Sequence, residues 1–240
     1  IEIHNEANEL IENGDGLNPD PYTQQWIDYG YNLFQGALFL QYPDNTNQYF
    51  LIHSEKTIFP EGIYGNYHIV ARLYYSTIDM GALEGNVIEK NELLVGDTLD
   101  FGKITANRHA NGRDWWILQQ EYFSNRFYLI KISPTGISVE NNQVVGEETP
   151  SGLGQAVFSP DGSTYATYSA HDVESGQFIN IYSFDRCTGT LAIIVQINEP
   201  SFVFSGGIAI SPNSRFLYVS SYVNIYQYDL WADDIEASRE

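Results

Sequence analysis

One pattern of apolar and polar positions returns four times along the chain. Gln35–Ser54, Gly102–Gln120, Gly152–Ala170 and Ser205–Tyr222 each open on a strand-like run of small and apolar residues. Each then passes through a tight polar turn into a run of aromatic and β-branched residues. A second signature follows every copy: Arg72–Met80, Arg126–Ser133, Phe178–Asp185 and Val223–Leu230. Alternation with period two, bounded by Pro, Gly, Asn and Asp, predicts short antiparallel strands. A four-stranded unit recurring at roughly 50 residues is the mark of a β-propeller blade. The fold class read from the chain is all-β and propeller-type, with four-stranded antiparallel blades, three of them complete and a partial one at each end.

Taken as one domain over residues 1–240, the complete blades fall at 33–96, 97–146 and 147–198, and the partial ones at 1–16 and 199–240. Asn13–Asn32 reads as an irregular connector and His53–Tyr67 as a long insertion in the first complete blade. Ser159-Pro160-Asp161-Gly162 and Ser211-Pro212-Asn213-Ser214 have turn chemistry: Pro presets φ, Asp161 caps the first turn and Gly162 allows a positive φ, and in the second Asn213 is the tolerant residue. Asn111-Gly112 is a hairpin signal. Both turns at Ser159 and Ser211 should join antiparallel strands. Ile1–Asn5 and Glu9–Glu12 read as the last two strands of a blade whose beginning is absent. They would either complete the blade begun at Ser205 and close a small ring, or leave an open arc, and the two strands favour the arc. The start at Ile1 without Met reads as a piece of a longer product. No amphipathic helix is expected.

Charge narrows the partners. Eleven basic and 31 acidic residues leave a net charge of −20, a field that repels nucleic acid and anionic lipid. No run approaches the ~18 apolar residues of a membrane span, so neither nucleic-acid binding nor direct membrane insertion is expected. Cys187 is the only cysteine, which excludes a disulfide within the chain. In its strand-to-strand turn it reads as a packing residue rather than a nucleophile.

Catalytic signatures are missing: no nucleophile elbow, zinc motif or phosphate loop is present. Asn13-Gly14-Asp15-Gly16 lacks the alternating carboxylates of a calcium loop. His109, Asn111, Gly112, Arg113, Asp114 and Trp115 cluster closely, but a capped hairpin with Arg113 paired to a carboxylate and tryptophans on opposite strand faces accounts for them. The candidate site comes from blade geometry. Loops after the second strand of each blade share one rim, where His53, Glu55, Glu121, Tyr122, His171, Asp172 and Tyr222 would converge as a ligand-binding set. No cofactor is expected, although the histidines and carboxylates among them could hold a divalent cation such as calcium.

His109–Trp116, Phe184–Gly189 and Ser211–Ser221, together with Glu12–Asn18 and Tyr74–Met80, resemble a family of large secreted Bacteroidota proteins. Its members place a WD40- or YVTN-like propeller before further surface modules and end in a gliding-motility-associated, type IX secretion sorting domain. The resemblance implies a secreted or cell-surface location; this chain carries no sorting domain. The expected function is a non-catalytic recognition or scaffold module binding a protein or polysaccharide through rim loops. The alternatives are a metal-dependent hydrolase of the lactonase propeller type and a purely structural adhesin spacer.

Overall fold

The computed structural model describes residues 2–26, 28, 33–59, 67–81, 84–170, 176–199, 206–221 and 224–240. Of the predicted rim residues, His171, Asp172 and Tyr222 lie outside them.

Four antiparallel sheets follow one another along the chain. The first holds β1 (Ala37–Gln41), β2 (Gln48–Phe59), β3 (Tyr67–Asp79) and β4 (Asn86–Val95). The second holds β5 (Thr105–Arg108), β6 (Trp115–Gln120), β7 (Arg126–Ser133) and β8 (Gly136–Val139), with the short β9 (Gln143–Val144) also on β7. β10 (Leu153–Phe158), β11 (Thr164–Ala170), β12 (Gln177–Asp185) and β13 (Thr190–Glu199) make the third. β14 (Gly207–Ile210), β15 (Phe216–Ser221) and β16 (Asn224–Asp229) make the fourth. Strand order in each sheet is the order in the chain, which is how a propeller blade is wound.

Alternation builds the core between blades rather than within them. Ile117 points to the first blade and joins Leu40, Ile52, Leu73 and Ile130. Its neighbours Trp116 and Leu118 point the other way and join Tyr165, Tyr182 and Phe184 of the third blade. A further cluster, with Tyr168, Ile181, Leu217 and Tyr228, seals the third blade to the fourth. Both faces of a middle blade are thus apolar, as strands covered on both sides require.

Ser159–Gly162 and Ser211–Ser214 are turns between antiparallel strands. In both, the serine hydroxyl donates to the carboxylate or amide oxygen two residues on, at 2.6 Å. It also accepts the backbone N–H five residues on, at 2.9 and 2.8 Å.

Two expectations change, and the insertion after His53 takes a form. Over its described residues that insertion is strand: β2 and β3 run on together to Phe59 and Tyr67 with a bulge at Glu55/Lys56, because β-branched and aromatic residues extend the alternation. A short helix, α1 (Pro21–Gln25), sits in the connector, started by Asp20, whose carboxylate accepts from the Thr23 N–H at 2.9 Å. The N-terminal residues form only a minimal hairpin, with one bridge between His4 and Leu10. Their apolar residues Ile3 and Ile11, with Leu17, pack against Leu51, Ile78 and Val87 of the first blade, and among the described residues no hydrogen bond joins them to the fourth. On β16, Gln227 and Glu240 exchange backbone hydrogen bonds at 3.0 Å each, so the end of the chain lies alongside that strand.

Candidate functional site

Of the rim residues that the sequence nominates, the described ones, His53, Glu55, Glu121 and Tyr122, each contact other groups of the chain. His53 lies within β2, at the level where β1 begins (Ala37 opposite His53), and is 2 % exposed; it is not a loop-tip residue. Its Nδ1 is 2.6 Å from Asn18 Oδ1 and its Nε2 is 3.1 Å from the Ser76 hydroxyl. Because Asn18 Nδ2 donates to the Ser54 carbonyl, its Oδ1 is turned to His53, which places the proton on Nδ1. Burial lowers the His53 pKa to about 4, so the ring is neutral and fastens the Asn18 segment to the first blade. Glu55, also inside β2, accepts from Arg72 at 2.9 Å on both oxygens and from the Tyr74 hydroxyl at 2.8 Å. Lys56 is buried, with its ammonium 4.7 and 4.9 Å from the Tyr22 and Phe101 rings, and burial lowers its pKa to about 8.

The same end of the second blade holds Glu121, 3.4 Å from Arg126, and Tyr122, whose ring lies 4.6 Å from that of Phe123. Beneath them the Lys103 ammonium donates to Asp100 and to the Ser169 hydroxyl, both at 2.6 Å. Among the described residues no three His, Cys, Asp or Glu side chains are gathered as metal ligands. Asp15, in the Asn13–Gly16 stretch, faces Lys90 at 3.3 Å.

The turn at the opposite end of the second blade is a closed network. Asn111 Oδ1 accepts the N–H groups of Arg113 and Asp114, and its amide donates to the Asp114 carboxylate. Arg113 donates to Asp114 at 2.8 Å and reaches Asp44 at 3.1 Å. The bonds from Arg113 and Asn111 outweigh desolvation and hold the Asp114 carboxyl below its usual range. His109 stacks on Trp116 at 5.3 Å, and Trp115 donates to the Gln41 carbonyl of the first blade. Gly112 takes φ +73°, which is why glycine serves there. Cys187 corrects its expectation: it is exposed, set outward on the turn after β12, and packs no core.

Sequence reasoning missed a groove of about 510 Å³ along the innermost strands of the second and third blades. Thr105–Arg108 form one wall and Ala156–Pro160 the other, with Gln35, Trp115 and Arg186 closing it. Gln35, left-handed at φ 45°, ties the walls together. Its side chain donates to the Ala156 carbonyl at 2.9 Å and accepts the Ala156 N–H at 2.8 Å, while its own carbonyl accepts from Ile104. Arg108 lies 3.5 Å over the Trp115 ring and donates to the Arg113 carbonyl. Arg186 donates to the carbonyls of Arg108 and Asp161 at 2.9 and 3.0 Å.

Blades of in-order antiparallel strands with apolar seams between them define a β-propeller-type protein. Solved structures show the same class. At 11 % identity and a TM-score of 0.51, 83 % of the chain overlays 66 % of a Bacteroides fragilis protein described as a candidate 6-phosphogluconolactonase. A Bacteroides uniformis protein of the same description matches at 15 % identity and TM-score 0.50, over 80 % of this chain and 67 % of that one. The whole chain overlays 51 % of an exo-β-1,3-galactanase of Phanerochaete chrysosporium at 10 % identity and TM-score 0.50. The chain therefore spans about two thirds or less of the length of these proteins. At such identities the likeness concerns the fold alone. No protein-family model and no curated protein matches the sequence.

Proposed function

We propose that the chain is a non-catalytic recognition module of a secreted, cell-surface protein, a rigid set of blades that engages a protein or polysaccharide. The groove between the second and third blades supports this reading. It is a concave surface with an aromatic wall, amide and hydroxyl groups, and two guanidinium groups held by backbone carbonyls. Binding sites take this form, a preformed concavity with few, fixed polar groups. Of its two hydroxyl side chains, Thr105 and Ser159, Ser159 donates to Asp161 and accepts the Thr164 N–H, so its role is to hold the turn. The surface location, and export by the type IX route beside gliding-motility-associated modules, rest on the motif resemblance alone.

The test is a calorimetric and glycan-array screen of the purified chain, run beside lactone hydrolysis with and without chelator. Binding of a glycan or protein without turnover is the expected result. Chelator-sensitive lactone turnover would overturn the reading in favour of a metal-dependent hydrolase, and inertness to every ligand would leave a spacer.

A further inference from the structure

Among the described residues, seven basic side chains meet a carboxylate: Arg72, Lys90, Lys103, Arg113, Arg126, Arg215 and Arg239. Arg108 and Arg186 meet none among the described residues, although Asp114, Asp161 and Asp185 stand at the same end of the blades. Each of those carboxylates is engaged elsewhere. Asp114 takes Arg113 and Asn111, Asp161 takes Ser159 and Ser163, and Asp185 takes the Cys187 N–H and the Thr188 hydroxyl. Backbone carbonyls hold the two guanidinium groups in place but do not neutralise them. For Arg108, burial lowers the pKa below its ordinary value: the groove keeps a charge that the surroundings disfavour. In a chain of net charge −20, two such cations in one groove are a local reversal of charge.

We infer that this groove is an anion seat for an oligosaccharide bearing isolated carboxylates, with Arg108 and Arg186 taking the carboxylate and Thr105 and Asn107 placed for sugar hydroxyls. The inference rests on the recognition reading above and gives that site its ligand class. A guanidinium matches a carboxylate by forked, charge-assisted hydrogen bonds. A peptide adding as an extra strand is disfavoured, because Gln35 already occupies the Ala156 N–H and carbonyl on that strand edge. A densely charged polyanion is disfavoured too, since the negative surface repels it. Beyond the ~8 Å Debye length of physiological salt that repulsion fades, leaving the local cations to act on a sparsely charged ligand.

The experiment is calorimetry on the whole chain at about 0.15 M salt with three probes. They are aldotetraouronic acid (one methylglucuronate on xylotriose), neutral xylotetraose, and a blocked tripeptide with a single glutamate. The acidic sugar should bind about tenfold more tightly than the neutral one, as the loss of a charge-assisted bond implies. Arg108→Gln should weaken the acidic sugar by about the same factor, Arg108→Lys by less. Arg215→Gln, on the fourth blade and outside the groove, should change nothing. Should Arg108→Gln fail to fold, competition by free glucuronate on the unaltered chain carries the test, with displacement expected. Failure of the acidic sugar to bind, equal binding of the neutral sugar or the tripeptide, indifference to Arg108→Gln in a folded variant, or no displacement by glucuronate would each overturn the seat. Neutral-sugar binding that ignores Arg108 would overturn the seat while leaving recognition standing; silence in the glycan and protein screen, or chelator-sensitive lactone turnover, removes both.

Discussion

At the end of the blades where second and third strands meet, His53, Glu55, Asp100 and Lys103 are buried, and each is bonded to another group of the chain. At the other end, Arg108 and Arg186 line an open groove; carbonyls hold both, the Trp115 ring lies under Arg108, and among the described residues neither meets a carboxylate. Both ends are rich in ionisable residues, and composition alone does not separate them. What separates them is whether the charge is answered inside the fold. A buried group with all its partners specifies structure, whereas a fixed and unanswered one is available to a ligand.

The largest expected effect breaks the self-satisfied end. Lys103 and Asp100 side chains are 3 % and 2 % exposed, so removing one strands the other without water. Lys103→Met should cost about 3–5 kcal/mol in urea unfolding at neutral pH, and adding Asp100→Asn should recover most of it. A single variant within about 1 kcal/mol of the parent would show that the pair is not carrying a buried charge.

His53 gives the same end a pH signature. The unfolded histidine titrates near 6.5 and the folded one, buried, at about 4. As pH falls, the unfolded chain therefore takes up the proton first. The stabilisation is complete above ~6.5 and drains away towards pH 4, about 3 kcal/mol over the window. Measured between pH 7 and 5, before most carboxylates titrate, stability should fall in the parent and stay nearly level in His53→Gln. Parallel curves would place His53 in water in the folded state.

How far the sequence was legible follows the range of the contacts. The turns at Ser159 and Ser211 were readable because their whole chemistry lies within five residues. The blades were readable because strand alternation is local and repeats. His53 was misplaced at a loop tip because β2 outruns β1, and that length depends on pairing with β3. The groove was invisible because its clamp joins Gln35 to Ala156, 121 residues away, and Arg186 to Arg108, 78 away. Arg108 before the inner turn of the second blade and Arg186 in the outer turn of the third were the available signal.

The groove end can be loosened through that clamp. Gln35→Ala removes two hydrogen bonds to Ala156 and should destabilise by about 2 kcal/mol, read as a shifted urea midpoint with unchanged slope. If Gln35 also sets the wall spacing, the variant should lose acidic-sugar binding at temperatures where it is still folded. A midpoint equal to the parent's would mean that water replaces both bonds at no cost.

The smallest effects separate two copies of one turn. Ser214 takes φ +60° with a side chain, where Gly162 takes +74° in the equivalent position of the third blade. Ser214→Gly should relieve about 1 kcal/mol of left-handed strain. It also removes the acceptor of the Asp161 N–H at 3.2 Å and frees the unfolded chain, so the net change should stay within about 0.5 kcal/mol. Gly162→Ala has no such cancellation. Its Cβ would stand 2.5 Å from Asn107 Oδ1 and 2.8 Å from Arg186 Cδ, so strain adds to a clash with groove residues. A loss of about 1–2 kcal/mol by thermal unfolding is expected there, together with weaker carboxylate binding. Equal effects from the two substitutions would mean that the backbone alone decides both turns, and that Gly162 has no part in shaping the groove.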